Sequence, residues 1–504
     1  MGSLSTLNLT VIIVVLIAIT VIGQRFAGRA TSSQSFFTAD GGLPWWAVSA
    51  SLYATAISSI SFISIPGSVF RPGGNLELLQ IELGQAVGKI LIAIVFVRAY
   101  YESKGVNTVY DYLDARLGTF VSRSTMLITI LLTIALNSIV VVSAALVLNV
   151  LTDLSTELSC LAILGLSILW CWAGGLRTVI WTDLMMFCTF FFGALLALGM
   201  TISAGGMDIA AMYELLDRQS KLKLLELTTD PSRSYTLWTG IFCATLLGMT
   251  LITSQSGMQR VKACRSVGDA QKAYAYCVVF YVVTITLMGV GLGLTAYYEA
   301  VGIPPELSER LRAQPDQVFP FFIVTQIPDG YSGVLVAAIL AAAISTLNSR
   351  LAELADITVS NVYRPFLVKG RQESHYLKAS RMFIVVWGAL YGAAAIALSR
   401  IDGQNLLEAT YFVANVATGP ILAVFFLARY GVGGTSSVIL GTALAVIASL
   451  WLRQRGVSDF WSTPISVVLM FAAGWIQTPR RLDRLGIVAA TQIEHPARAE
   501  RSLR

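Results

Sequence analysis

Apolar runs long enough to cross a bilayer recur along this chain, and they restrict what it can become. A crossing needs about 20 residues, and the chain has 504, of which 55% are hydrophobic and 13% charged. That charged fraction is about half of what a soluble domain carries. The expectation is an all-α polytopic membrane protein. Hydropathy places about 13 spans, near 9–22, 45–70, 76–99, 120–150, 158–173, 178–203, 235–257, 273–298, 319–362, 380–399, 405–428, 434–452 and 459–476. The first run lacks a basic leader and a small-residue cleavage pattern, so it reads as a retained helix.

The basic loops test that count. Arg25 and Arg29 follow the first span, and Arg98, Lys104, Arg116 and Arg123 surround the loop after the third. Arg260, Lys262, Arg265 and Lys272 crowd one further loop; Arg364, Lys369, Arg371, Lys378 and Arg381 crowd the next. All fall on one side, together with the arginine-rich tail. The positive-inside rule makes that side cytoplasmic, with the N-terminus outside and the C-terminus inside. Opposite ends need an odd number of spans, which agrees with 13. The formal charge of +6 reflects this loop asymmetry, not nucleic-acid binding. The six cysteines form no CxxC pair, and His375 and His495 sit in polar loops away from acidic clusters. Disulfides, structural zinc and a histidine metal site are therefore not expected.

The polar residues inside the spans carry the functional signal. AAILAAAISTLNSR begins as a small-residue helix and then sets Ser345, Thr346, Asn348 and Ser349 within a turn and a half. Oxygens at i, i+1, i+3 and i+4 share a face, and neutral oxygens suit a hard cation. Helix packing with hydroxyls bonded to the preceding turn is the plainer reading. The second span, SASLYATAISSISFISIPG, is rich enough in serine to unwind near Ala54 to Ser59, freeing carbonyls as ligands. Asp183, in VIWTDLMMF, reads either as an interfacial carboxylate paired with Arg177 or as an ion ligand. Arg350 and Glu353 have salt-bridge spacing. Glu82 and Lys89 pair with other helices in this reading, and Gln80, Asn137 and Ser138 add polar groups.

In order and spacing, TADGGLPWWAVSASLYATAISS, WAGGLRTVIWTD, SQSGMQR and AAILAAAISTLNS resemble the sodium/solute symporter family over essentially the whole chain. That family includes sodium-coupled sugar, sialic acid, proline and monocarboxylate transporters. The resemblance implies the leucine-transporter fold, with inverted five-helix repeats at 45–204 and 235–429. Around them lie a first helix and loop (1–44), an outer loop (205–234), two C-terminal helices (430–478) and a cytoplasmic tail (479–504). It implies Na+ as coupling ion, held by the carbonyls of Ala54, Ile57 and Ala342 and the hydroxyls of Ser345 and Thr346. Some members bind an additional sodium; the similar positions here are Asp183, Ser345, Asn348 and Ser349, with Asn348 replacing a hydroxyl.

For the solute, the resemblance points to Ser58, Ser61 and Gln80, with Asn137 and Thr250 at two further positions. Asn137 stands where sialic acid transporters carry an arginine. Leu247 and Thr250 stand where sugar transporters carry Asn and Tyr. The implied protein is no enzyme. It is a symporter of the plasma (inner) membrane that imports a small polar organic solute, a sugar, sugar acid or small organic acid, by alternating access, and a monomer suffices. The alternatives are a transporter-like sensor and a proton-coupled carrier working through Asp183 or Glu82.

Overall fold

The computed structural model describes residues 5–26, 30–103, 105–152, 154–305, 307–308, 311, 317–400 and 404–477. The expected tail at 479–504 and His495 lie outside them. Among the described residues the fold is helical, the β contact being an isolated bridge between Leu43 and Cys264. The long elements are α1 (Thr6–Phe26), α2 (Trp45–Ala56), α3 (Ser59–Phe70), α4 (Leu78–Val95), α5 (Thr119–Thr152) and α6 (Thr156–Ala204). There follow α7 (Thr239–Thr253), α8 (Gln255–Ala263) and α9 (Val267–Val301). Next come α10 (Tyr331–Leu367) and α11 (Glu373–Ser399), then α12 (Gln404–Tyr430), α13 (Thr435–Gln454) and α14 (Ser462–Gln477).

Two spans are bent at a break. Between α2 and α3 the chain turns by 66°, and between α7 and α8 by 70°. Ile57 and Ser58 are extended there, at φ −84° and −116°, so the local unwinding expected of the serine-rich span is present. Each second half starts on a serine cap. Ser58 accepts from the Ser61 amide, and Ser254 from the Gly257 amide, satisfying donors that a helix start leaves open.

The described residues give nine single apolar spans, or eleven with the bent pairs, against the expected 13. The difference lies in two places. Residues 158–173 and 178–203, expected as separate spans, are joined in one run of 49 helical residues, α6, which counts as a single span although it is kinked between them. Gly175, at φ 58°, interrupts it where a Cβ would come within 2.4 Å of the Phe36 carbonyl. Only glycine accepts both conditions. In α12 the apolar described part, Asn415–Tyr430, is short of a full crossing. A further correction concerns 319–362, expected as one span. It divides into a short helix at Val318–Gln326 and α10.

Small residues set the packing around α10. A Cβ on Gly193 would lie 2.8 Å from the Ala338 methyl, so α6 and α10 approach backbone to backbone, as small residues allow. In its most apolar window α10 is 89% buried, against 22% for α1. The polar cluster of α10 therefore faces protein, not lipid.

Candidate ion and solute site

Thr346 ties α10 to the break beside α2. Its Oγ1 lies 3.1 Å from the Ile57 carbonyl, 3.2 Å from that of Ala342 and 3.4 Å from that of Thr55. A hydroxyl has a single proton to donate, so three acceptors compete for it in a water-poor interior. The lone pairs left over are those a hard cation takes up. Ala54, Ala342 and Ser345 are fully buried and Ile57 and Thr346 nearly so. Of the expected residues, Ile57, Ala342 and Thr346 are thus brought together, with the Thr55 carbonyl standing where that of Ala54 was expected. Ser345 has a second commitment: its hydroxyl donates to Asp183 Oδ1 at 2.7 Å.

Asp183 does not pair with Arg177, whose guanidinium reaches the Ala39 carbonyl at 3.4 Å. Its partner is Arg260, at 3.1 Å on Oδ2, with both side chains buried. Sequence reasoning placed Arg260 in a cytoplasmic basic loop. It lies instead on α8 and reaches Ser51 (2.9 Å), Thr55 (2.7 Å) and Ser349 (2.7 Å). Ser51 also donates to Asp183 Oδ2 at 2.5 Å. This is a charge pair with its hydrogen-bonding capacity nearly filled, the condition under which a buried pair is tolerated. The missed signal was the motif SQSGMQR itself, too polar to register as a span. Asn348 is the exception: it is buried, and neither its amide oxygen nor its nitrogen has a hydrogen-bond partner among the described residues.

Below this cluster α8 is fastened to α10. The Gln255 amide donates to Glu353 Oε1 at 2.8 Å, and the side chains of Gln255 and Gln259 donate to Asp356 Oδ2 at 2.6 and 2.9 Å. The expected Arg350–Glu353 pair is present at 2.7 Å. Lys89 meets the Tyr281 hydroxyl, and its ammonium lies 4.6 Å over that ring.

The solute candidates are not drawn together in the same way. Ser58 caps its own helix. Asn137 donates to the Thr133 carbonyl at 2.7 Å, and Thr250 to that of Leu247 at 2.6 Å. Gln80 is buried; its nitrogen donates to the Glu77 carbonyl and its oxygen accepts from the Glu226 amide, at 3.2 Å each. That ties Gln80 to the loop at 205–234. Ser61 is half-buried beside the break.

Two broken helices crossing an oxygen-lined helix define the class: a secondary transporter of the membrane. The chain belongs to the sodium:solute symporter family, whose profile matches residues 36–437. Sodium is its coupling ion and a small organic solute its cargo. It is a multi-pass membrane transporter, not an enzyme. The sodium/sialic acid symporter NanT of Aliivibrio fischeri is 27% identical, over 99% of both chains. The human sodium/iodide cotransporter is 27% identical, over 84% of this chain and 66% of its own. The sodium-coupled monocarboxylate transporter 2 of Bos taurus is 26% identical, over 87% and 71%. Among solved structures, a Na+-coupled sialic acid symporter superposes with a TM-score of 0.81 at 22% identity, covering 94% of this chain and 97% of that one. A nucleobase-cation-symport-1 family transporter gives 0.56 at 13% identity, over 88% and 94%. Both share the leucine-transporter fold.

Proposed function

We propose that this chain imports a small organic anion, a sugar acid or a small carboxylate, together with one sodium ion by alternating access. The observation that carries the ion site is Thr346, whose single hydroxyl proton is shared among the carbonyls of Thr55, Ile57 and Ala342. Ala54, Ile57, Ala342, Ser345 and Thr346 hold the sodium. The site bridges α2 and α10, so binding favours the state in which they are close, and parting them releases the ion. The inverted repeats are 45–204 and 235–429, with the N-terminus outside and the C-terminus in the cytoplasm. Ser58, Ser61, Gln80, Asn137 and Thr250 are the candidates for the solute.

The anionic cargo is supported by relatives named for sialic acid, iodide and monocarboxylates. One sodium is supported by Arg260, whose guanidinium is bonded to both Asp183 and Ser349. That guanidinium supplies the positive charge which an additional ion at Asp183, Ser345, Asn348 and Ser349 would otherwise bring. It also leaves Asp183 ill suited to carry a proton through the cycle.

One sodium moving with a monovalent anion carries no net charge. The membrane potential, about 2.3 kcal/mol per charge per 100 mV, then contributes nothing, and a tenfold sodium gradient supports about tenfold accumulation. The test is counterflow in proteoliposomes of labelled N-acetylneuraminate, pyruvate and galactose, with sodium or choline, followed by uptake under a valinomycin-imposed potential. Sodium-dependent exchange of an acid, insensitive to the potential, is expected. Exchange of galactose alone would overturn the anion, and acceleration by an inside-negative potential would overturn the single sodium.

A further inference from the structure

At the outer end of α3 lies an open cavity, remote from the ion site. It measures about 450 Å3 and is lined by Ser68, Arg71, Glu77, Arg233, Ser234 and Tyr235 among others. That volume lies within the range that holds small organic ligands. Helix α3 has 12 residues, so the cavity sits roughly 18 Å outward from Ser58 at 1.5 Å per residue.

The cavity wall is pinned. Lys221, buried in the outer loop, donates to the carbonyls of Val69 (2.7 Å), Phe70 (3.0 Å) and Arg71 (2.8 Å). This offsets the negative C-terminal end of α3 and fixes the backbone that bears Arg71. The hydrogen bond from the Glu226 amide to Gln80 holds the facing loop.

The charges of this region are unequally matched. Lys223 bonds Glu77 at 2.9 Å and Glu226 at 2.7 Å, and Arg233 bonds Glu226 at 2.9 Å. The hydrogen bond from Lys223 holds the Glu226 carboxyl below its ordinary range, and Glu226 in turn raises the Lys223 ammonium. Glu226 therefore stays ionised, and both acids are engaged by Lys223. Arg71 enters no ion pair among the described residues, so the cavity keeps one uncommitted guanidinium beside the hydroxyls of Ser68, Ser234 and Tyr235. A planar fork of donors next to hydroxyls matches a carboxylate on a hydroxylated body.

We infer that this cavity is an outer capture subsite for small organic carboxylates, with Arg71 as the anion-binding group and Arg233 at its rim. The subsite rests on the anionic cargo proposed above. It concentrates the solute outside the central site, acting on the rate of arrival and not on the coupled step.

The test places a thiol at the cavity by Ser234→Cys and compares its modification by anionic sulfonatoethyl and cationic trimethylammonioethyl methanethiosulfonates. The native described cysteines are buried or half-buried. Rates are taken relative to a free thiol. The anionic reagent is expected to be favoured several-fold, Arg71→Gln to abolish that preference, and millimolar pyruvate or N-acetylneuraminate to slow labelling. A preference unchanged by Arg71→Gln, or labelling indifferent to both acids, overturns the subsite. With Ser234 intact, Arg71→Gln should raise the half-saturating concentration for the transported acid about two- to fivefold, the scale of an exposed charge contact. Maximal rate and sodium dependence should stay unchanged, and a lowered maximal rate at unchanged half-saturation would also overturn it. Were galactose the exchanged cargo while the thiol keeps its anion preference, the cargo reading would fail and the subsite would stand.

Discussion

The seam where α2 and α8 meet α6 and α10 differs in construction from the solute candidates around the breaks. At the seam, polar groups are satisfied across the fold: Thr346 reaches Ile57, 289 positions away, and Arg260 reaches Ser51, 209 away. Among the solute candidates, Asn137 and Thr250 bond carbonyls of their own preceding turn, at separations of four and three. Long-range bonds commit a residue to one geometry. A bond to the preceding turn leaves it free to exchange that partner for a ligand at small cost. Under the proposed assignment the ion candidates are built into the fold, while Asn137 and Thr250 can change with little structural consequence. Gln80, held by the Glu226 amide 146 positions away, is the exception among the solute candidates.

The largest way to break this contrast is Asp183→Asn. It strands the Arg260 guanidinium in the interior and should cost about 3–5 kcal/mol of stability, read as a fall in the thermal midpoint of the purified protein. Restoring part of that loss with Arg260→Met in the same chain would show that the stranded charge is the cause. Next comes Thr346→Ala, which removes a proposed ion ligand and leaves buried carbonyls without a partner, a loss worth about 1–3 kcal/mol. The half-saturating sodium concentration for uptake should rise about tenfold or more at preserved expression. Asn348→Leu replaces an unbonded amide by an apolar group of similar size. It should be neutral or stabilising by up to about 1 kcal/mol, with the Hill coefficient for sodium staying near one. Smallest are Asn137→Ala and Thr250→Ala, expected to shift the half-saturating solute concentration about two- to threefold or less while leaving sodium affinity unchanged. A tenfold loss of sodium affinity in either would erase the distinction between the two regions.

Much of this was legible in the sequence. The spans announce themselves because a crossing helix must be apolar over its whole length. The serine-rich interruption announces the first break because the residues that cap a helix start also end the one before it. Ser345 and Thr346 stood out as hydroxyls in an alanine-rich helix, but only the family resemblance set the ion reading beside plain helix packing. Arg260 was not, because a buried arginine reads as a loop residue until its carboxylate partner, 77 positions away, is known to lie opposite. For the same reason Arg177, the sequence neighbour of Asp183, was the only basic partner considered for it beside the ion-ligand reading. The count falls below 13 where two helices kinked at Gly175 run together and where the described apolar part of α12 is short, and the 319–362 boundary strayed because hydropathy ignores a turn such as the one at Gly330 (φ 88°). The cavity beside Arg71 joins residues 71–77 to 233–235, a proximity that hydropathy does not encode.

The most direct test is equilibrium binding of 22Na+ to the purified protein, wild type against Thr346→Ala and Asn348→Leu. One saturable site in the wild type, retained in Asn348→Leu and weakened about tenfold or more in Thr346→Ala, is the expected result. Wild-type sodium affinity in Thr346→Ala would contradict the assignment of the ion to the seam between α2 and α10.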